Sequence, residues 1–170
     1  MAINNVCTLP ISGNNFLLRK MNILEANQKD LPRILELQKD CYQQEAQIYN
    51  DYTIPPLLQT LESITTDFEN QTFIKIEIQG KIIGSVRGYF ENGTCKIGRL
   101  IVDKDFQNQG IGSLLIKNIE AHFNHVNTFE LFTGDKSAKN LFLYKKLGYI
   151  EFKRKIINTN LELIYLKKEK

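Results

Sequence analysis

Leu100-Ile101-Val102-Asp103-Lys104-Asp105-Phe106-Gln107-Asn108-Gln109-Gly110-Ile111-Gly112-Ser113-Leu114-Leu115 reads as a strand, a polar loop and the start of a helix. Ile97 to Val102 is an apolar run with β-branched residues. Beyond the loop, Ile111, Leu114, Leu115, Asn118 and Ile119 recur at helical spacing, and Leu114, Leu115 and Ile119 form an apolar face. The junction carries Gln107-x-x-Gly110-x-Gly112. Two glycines at the mouth of a helix let the backbone come close to a ligand. The first amides of a helix lack internal partners and lie at its positive end, so together they favour an anion, above all a phosphate.

Three phosphate loops compete for this stretch. The nucleotide-triphosphate loop ends in Gly-Lys-Ser/Thr, whereas Gly112 is followed by Ser113-Leu114. The dinucleotide fingerprint wants a small residue three after Gly112, where Leu115 stands, and a βαβ unit near the start of its domain. The third is the pyrophosphate loop of acyl-coenzyme A binders. A second stretch supports it: Ser137-Ala138-Lys139-Asn140-Leu141-Phe142-Leu143-Tyr144-Lys145-Lys146-Leu147-Gly148-Tyr149. Asn140 and Tyr144 are four apart and share a helix face. Gly148 falls where a helix ends in a left-handed residue. Gln-x-x-Gly-x-Gly followed by Asn-x-x-x-Tyr-x-Lys-x-Gly-Tyr, in this order, resembles the GNAT superfamily of N-acetyltransferases. The resemblance covers most of Met21 to Tyr165.

Composition agrees with such a domain. The 170 residues suit a single core, and the hydrophobic fraction of 42% is ordinary for a globular chain. No apolar run is long enough to span a bilayer, and Val6 to Leu18 is broken by Pro10, Gly13, Asn14 and Asn15, so neither a membrane anchor nor a secretory leader is expected. Three widely spaced cysteines, Cys7, Cys41 and Cys95, match no metal spacing and no disulfide framework, which points to a cytoplasmic protein. The net charge of +3 suits a polyanionic ligand without demanding nucleic acid. Residues 1–20, rich in Asn, Ser, Gly and Pro, read as an N-terminal extension without a catalytic role, and 21–170 as the domain.

In chain order, Asn22 to Ala26 is a first strand. Asp30 is the expected cap, and Pro32 the first turn, of a helix with Leu31, Ile34, Leu35, Leu37, Cys41 and Tyr42 on one stripe. A second helix is expected with Leu57, Leu58, Leu61, Ile64 and Phe68 inside. Thr72 to Ile78, Lys81 to Tyr89 and Thr94 to Val102 form a meander turned by Gln79-Gly80 and Asn92-Gly93. After the central helix, Thr128 to Thr133 is a strand parallel to its predecessor. Tyr149 to Lys155 and Leu161 to Leu166 make a last hairpin, with a frayed tail from Lys167 to Lys170. The resemblance implies an α/β fold of the GNAT type, a mixed, mostly antiparallel sheet with helices on both faces.

It also implies roles. Acetyl-coenzyme A is the donor, and no metal is needed. The loop amides of Gln107, Asn108, Gln109, Gly110, Ile111, Gly112 and Ser113 take the pyrophosphate. Backbone of Leu100, Ile101 and Val102 pairs with the pantetheine arm and meets the oxyanion, and Asn140 hydrogen-bonds the coenzyme. Tyr144 protonates the leaving thiolate. Family members often carry a basic Glu on the strand before the loop, but Cys95-Lys96-Ile97-Gly98-Arg99-Leu100 contains no acid. Glu45 and Glu77 are the alternatives, with Glu45 preferred because it stands on the expected pocket wall. Arg99 either binds an acidic group of the acceptor or pairs with a sheet neighbour. Cys95 reads as a small buried hydrophobe. His122 and His125 have no metal-ligating companion nearby.

The expected reaction is direct transfer of acetyl, in a ternary complex, to a primary amine on a small molecule or peptide. The chain is compatible with a homodimer, and no nucleic-acid or membrane partner is expected. A non-catalytic acyl-coenzyme A-binding module is the rival reading. A nucleic-acid surface of Lys145, Lys146, Lys153, Arg154 and Lys155 is a weaker one, since these residues lie on separate elements.

Overall fold

The computed structural model describes residues 5–7 and 21–170. Apart from the backbone of 5–7, the extension at 1–20 lies outside the described residues. The chain order is β1 (Asn5–Cys7), β2 (Met21–Glu25), α1 (Leu31–Tyr49), α2 (Pro55–Leu58), α3 (Leu61–Asn70), β3 (Thr72–Ile78), β4 (Lys81–Glu91), β5 (Thr94–Val102), α4 (Ile111–His122), β6 (Thr128–Gly134), α5 (Ala138–Lys146), β7 (Ile150–Asn158) and β8 (Leu161–Glu169). The eight strands form one sheet in the order β1-β2-β3-β4-β5-β6-β8-β7. Every neighbouring pair is antiparallel except β5 and β6. This is the mixed, mostly antiparallel GNAT-type sheet expected from the sequence.

The meander is set by its turns. Gln79, Gly80, Asn92 and Gly93 all have positive φ, as two-residue turns matched to strand twist require. Alternation along β3 sends Ile74, Ile76 and Ile78 to one face and Phe73 to the other. The first face carries α4 and α5, with Leu115, Ile116 and Ile119 fully buried. The second carries α1 and α3, through Leu31, Ile34, Leu35, Leu37 and Ile64. Helix α4 lies so close on β4 that a Cβ at Gly88 would stand 2.9 Å from Ile119 and one at Gly84 3.1 Å from Leu115.

Three expectations need correction. The helix expected from Leu57 through Phe68 is two pieces. Gln59 is extended (ψ 133°) and Thr60 caps α3 by accepting from Ser63 N–H, so Leu58 and Leu61 end up 61% and 49% exposed. Asp30 does not cap α1 with its side chain. Its carboxylate closes a capping box with Asn27 over the 3₁₀ turn at 28–30 and pairs with Lys75 at 2.8 Å. The tail is not frayed to Lys170: Lys167 to Glu169 belong to β8, which is paired to β6 on one side and, as far as Lys167, to β7 on the other.

A buried polar cluster ties the α1–α3 layer to β4. Arg87, 3% exposed, donates to Asp67 at 2.9 Å, to Gln38 at 2.5 Å and to Gln59 at 3.1 Å. Gln38 in turn donates to the Pro56 carbonyl, and Gln59 to Asp67. The break at Gln59 is thus where the chain leaves helix to place an amide on Arg87. No helix among the described residues is long and apolar enough to cross a membrane.

Candidate active site

Parallel pairing of β5 with β6 lasts for three residue pairs, Thr94–Thr128, Cys95–Phe129 and Lys96–Glu130. The two strands then part. Gly84 pairs with Val102 and Ser85 with Ile101, yet Arg87 pairs with Gly98, so Arg99 and Leu100 share one partner in a bulge. Arg99 takes the strained left-handed conformation there, at φ 50°. Asp103 N–H donates to the Ile83 carbonyl on β4. By alternation, the peptide groups of Leu100 and Val102 point away from β4, into the gap beside β6.

The gap opens into a cleft of about 640 Å³. The pyrophosphate-loop stretch forms its floor. Asn108 and Gly110 have positive φ, 61° and 83°. The first bond at the head of α4 runs from Leu114 N–H to the Gly110 carbonyl, so the amides of Ile111, Gly112 and Ser113 have no acceptor inside the helix. Gly112 brings α4 against α5: a Cβ there would stand 3.2 Å from Leu143. Gln107 folds back to donate to the Val102 carbonyl at 3.1 Å. Of the eleven donor-site residues expected from the sequence, Leu100, Ile101, Val102, Gln107, Asn108, Gly110, Ile111, Gly112, Ser113 and Asn140 line the cleft. Gln109 does not line it: its side chain is spent on the Asp105 carbonyl.

The opposite wall comes from α1 and the start of α5. Glu45 accepts from Ser137 Oγ at 2.6 Å and from Asn140 Nδ2 at 3.4 Å. Among the described residues it is the one carboxylate lining the cleft. Glu77 instead pairs with Lys75 at 2.6 Å and does not line it. Tyr49 braces the wall, accepting from Lys136 N–H at 2.7 Å. A Cβ at Gly134 would overlap the Tyr49 hydroxyl, so this approach needs glycine.

Tyr144 is 6% exposed, with its ring 6.1 Å from that of Tyr149. Burial, followed by Tyr42 and Glu45, pushes its phenol pKa well up. Burial chiefly keeps the phenol protonated, and Tyr144 packs in the core without lining the cleft. Cys41 lines the cleft and donates to the Val102 carbonyl at 3.3 Å, while burial pushes its thiol up to about 11. Cys95 is fully buried, with its thiol pushed up to about 12. Neither is a poised nucleophile at neutral pH. His122 sits 3.3 Å from Thr72 and His125 lies against Phe90, and no metal-holding group occurs among the described residues.

Tyr42 and Lys136 lie outside both motifs yet line the cleft, beside Lys139 and the motif lysine Lys146. None of the three lysines is in an ion pair among the described residues. They gather positive charge around a floor of free amides, which fits a ligand carrying several phosphates. The unpaired strand edge fits an extended arm with amides of its own. Acetyl-coenzyme A has both features.

Comparison with known proteins agrees with this geometry. The family model described as the acetyltransferase (GNAT) family matches residues 31–149. No curated protein matches the chain significantly in sequence. Among solved structures, the ribosomal-protein-S18-alanine N-acetyltransferase of Escherichia coli is similar at a TM-score of 0.72 and 16% identity, over 88% of this chain and 93% of that one. A ribosomal-protein-alanine N-acetyltransferase of Brucella melitensis is similar at 0.69 and 20%, over 86% and 98%. An acetyltransferase of the GNAT family from Streptococcus pneumoniae is similar at 0.70 and 18%, over 88% and 98%. At such identities the likeness carries the fold and says nothing of the substrate. The family match spans both motifs and the cleft they build: the chain belongs to the GNAT acetyltransferase family and is an acetyl-coenzyme A-dependent acyltransferase.

Proposed function

We propose that the protein transfers acetyl from acetyl-coenzyme A to a primary amine by direct attack in a ternary complex. The observation that carries this reading is the parting of β5 from β6 after Lys96 and Glu130, beside the unpaired amides of α4. It leaves one groove with a strand edge for the arm and a helix terminus for the pyrophosphate. In this reading, the amine nitrogen forms the new C–N bond as the C–S bond breaks. Glu45 takes the proton the amine must lose, supported by its place as the cleft's carboxylate. The backbone N–H groups of Leu100 and Val102 face the developing negative oxygen, as preorganised donors in a partly dry site should. Tyr144 gives a proton to the departing sulfur, and its upward-shifted phenol is in the required form across the neutral range. Asn140 steadies Glu45 and borders the arm.

Tyr144→Phe keeps the buried ring and removes the proton. We expect kcat to fall about a hundredfold, the lower end of general acid contributions. The Kd for acetyl-coenzyme A should stay within about twofold, because the hydroxyl acts on the leaving group and not on donor binding. Steady-state thiol release and calorimetry read the two quantities separately. Undiminished kcat would return Tyr144 to a purely structural role in the core.

A further inference from the structure

We propose that the acceptor carries a carboxylate close to its reacting amine, and that Arg99 binds it. This rests on the reading of the cleft as an acyl-transfer site. Arg99 occupies the bulge of β5, one residue before the Leu100 to Val102 segment that lines the cleft. Its guanidinium carbon stands 5.9 Å from the centre of the Tyr42 ring, and Tyr42 lines the cleft one turn before Glu45. The guanidinium hydrogen-bonds the Tyr42 side chain, but the Nε of Arg99 is buried and has no hydrogen-bond partner among the described residues. Arg99 is in no ion pair among the described residues.

The neighbouring charges sharpen the imbalance. Arg87 is close enough for the two guanidinium groups to repel, but Asp67 and two amides satisfy Arg87. The other charge near Tyr42 is Glu45, which Ser137 and Asn140 already engage. A buried donor without a partner is costly, and more so when it is charged. A strained backbone conformation adds to that cost, and such strain gathers at ligand sites. A guanidinium presents a planar fork suited to a carboxylate. A carboxylate supplied by the acceptor would neutralise Arg99 and hold the amine beside Glu45. The alternative in which Arg99 pairs with a sheet neighbour is not what the structure shows.

Two sources could supply this group: the α-carboxylate of a free amino acid, or the acidic side chain of a peptide's first residue. Matched acceptors separate them. Amino acids are compared with their carboxamides, and peptides beginning with Asp or Glu with peptides beginning with Asn or Gln. Turnover is read as thiol release, and binding by calorimetry without any donor. We expect kcat/KM for at least one carboxylate series to exceed that of its amide series by about tenfold or more, mainly through KM. The Arg99→Gln substitution should collapse that ratio to near one, and Arg99→Lys should restore part of it. Equal values for carboxylate and amide in both series, or a preference that survives Arg99→Gln, would overturn the proposal. If Arg99→Gln does not fold, the wild-type ratios still decide. If acetyl-coenzyme A itself fails to bind, the acyl-transfer reading falls. The donor-free titrations still judge Arg99: carboxylate binding abolished by Arg99→Gln supports it, and no carboxylate binding overturns it.

Discussion

Gly112→Glu weakens acetyl-coenzyme A binding by at least about a hundredfold. Gly112 lies in the first turn of α4, where the amides of Ile111, Gly112 and Ser113 have no helical acceptor. A carboxylate there competes for the same amides and faces the pyrophosphate. Two unit charges about 4 Å apart repel by about 4 kcal/mol at an effective dielectric near 20. A hundredfold loss needs only about 2.8 kcal/mol. The substitution also presses on Leu143, since a Cβ would come within 3.2 Å of it. Gly112→Gln carries nearly the same bulk without the charge, so the Glu–Gln difference isolates the electrostatic part. Calorimetric titration of both variants checks the prediction. Equal affinities for Glu and wild type would remove the loop from the donor site.

Arg87→Ala lowers the unfolding free energy by about 3–5 kcal/mol, the range for breaking a buried charged pair by deleting one partner. The guanidinium lies 4.5 Å from the centre of the Phe73 ring and bonds Asp67, Gln38 and Gln59. Burial, then the like charge of Arg99, pulls its pKa down to about 10, which still leaves it charged at neutral pH. Deleting it strands a carboxylate and two buried amides between α1, α3 and β4. For a domain of this size, each kcal/mol moves the thermal midpoint by about 2–4 °C, so the midpoint should fall by roughly 6–20 °C. Arg87→Lys keeps the charge but not the fork, and should recover part of the loss. Calorimetric melting measures both. A midpoint unchanged by Arg87→Ala would show that the cluster contributes nothing net.

The sheet was largely legible because its signals are local. Gln79-Gly80 and Asn92-Gly93 demand positive φ, and the runs they separate alternate, so β3, β4 and β5 emerge within two residues of their observed ends. The floor of the cleft was legible for the same reason, since a helix start with two glycines presents its amides whatever surrounds it. The failures are tertiary. Nothing in Leu57 to Phe68 breaks a helix by propensity; Gln59 leaves it because a buried guanidinium needs an amide acceptor. Lys167 to Glu169 look like a tail, yet strand partners outweigh their charges. Lys136 lies outside both motifs, and only the fold brings it to one cleft with Lys139 and the motif lysine Lys146. The bulge at Arg99 was equally hidden: Gly98 is the residue built for unusual φ, but Arg99 adopts it.

The most direct test is calorimetric titration of acetyl-coenzyme A into the purified protein, followed by thiol release against primary amines. The account predicts saturable binding of one donor per chain in the micromolar range, with thiol released on at least one amine. Absence of donor binding would contradict the assignment of the cleft between β5, β6 and α4, and the reaction built upon it.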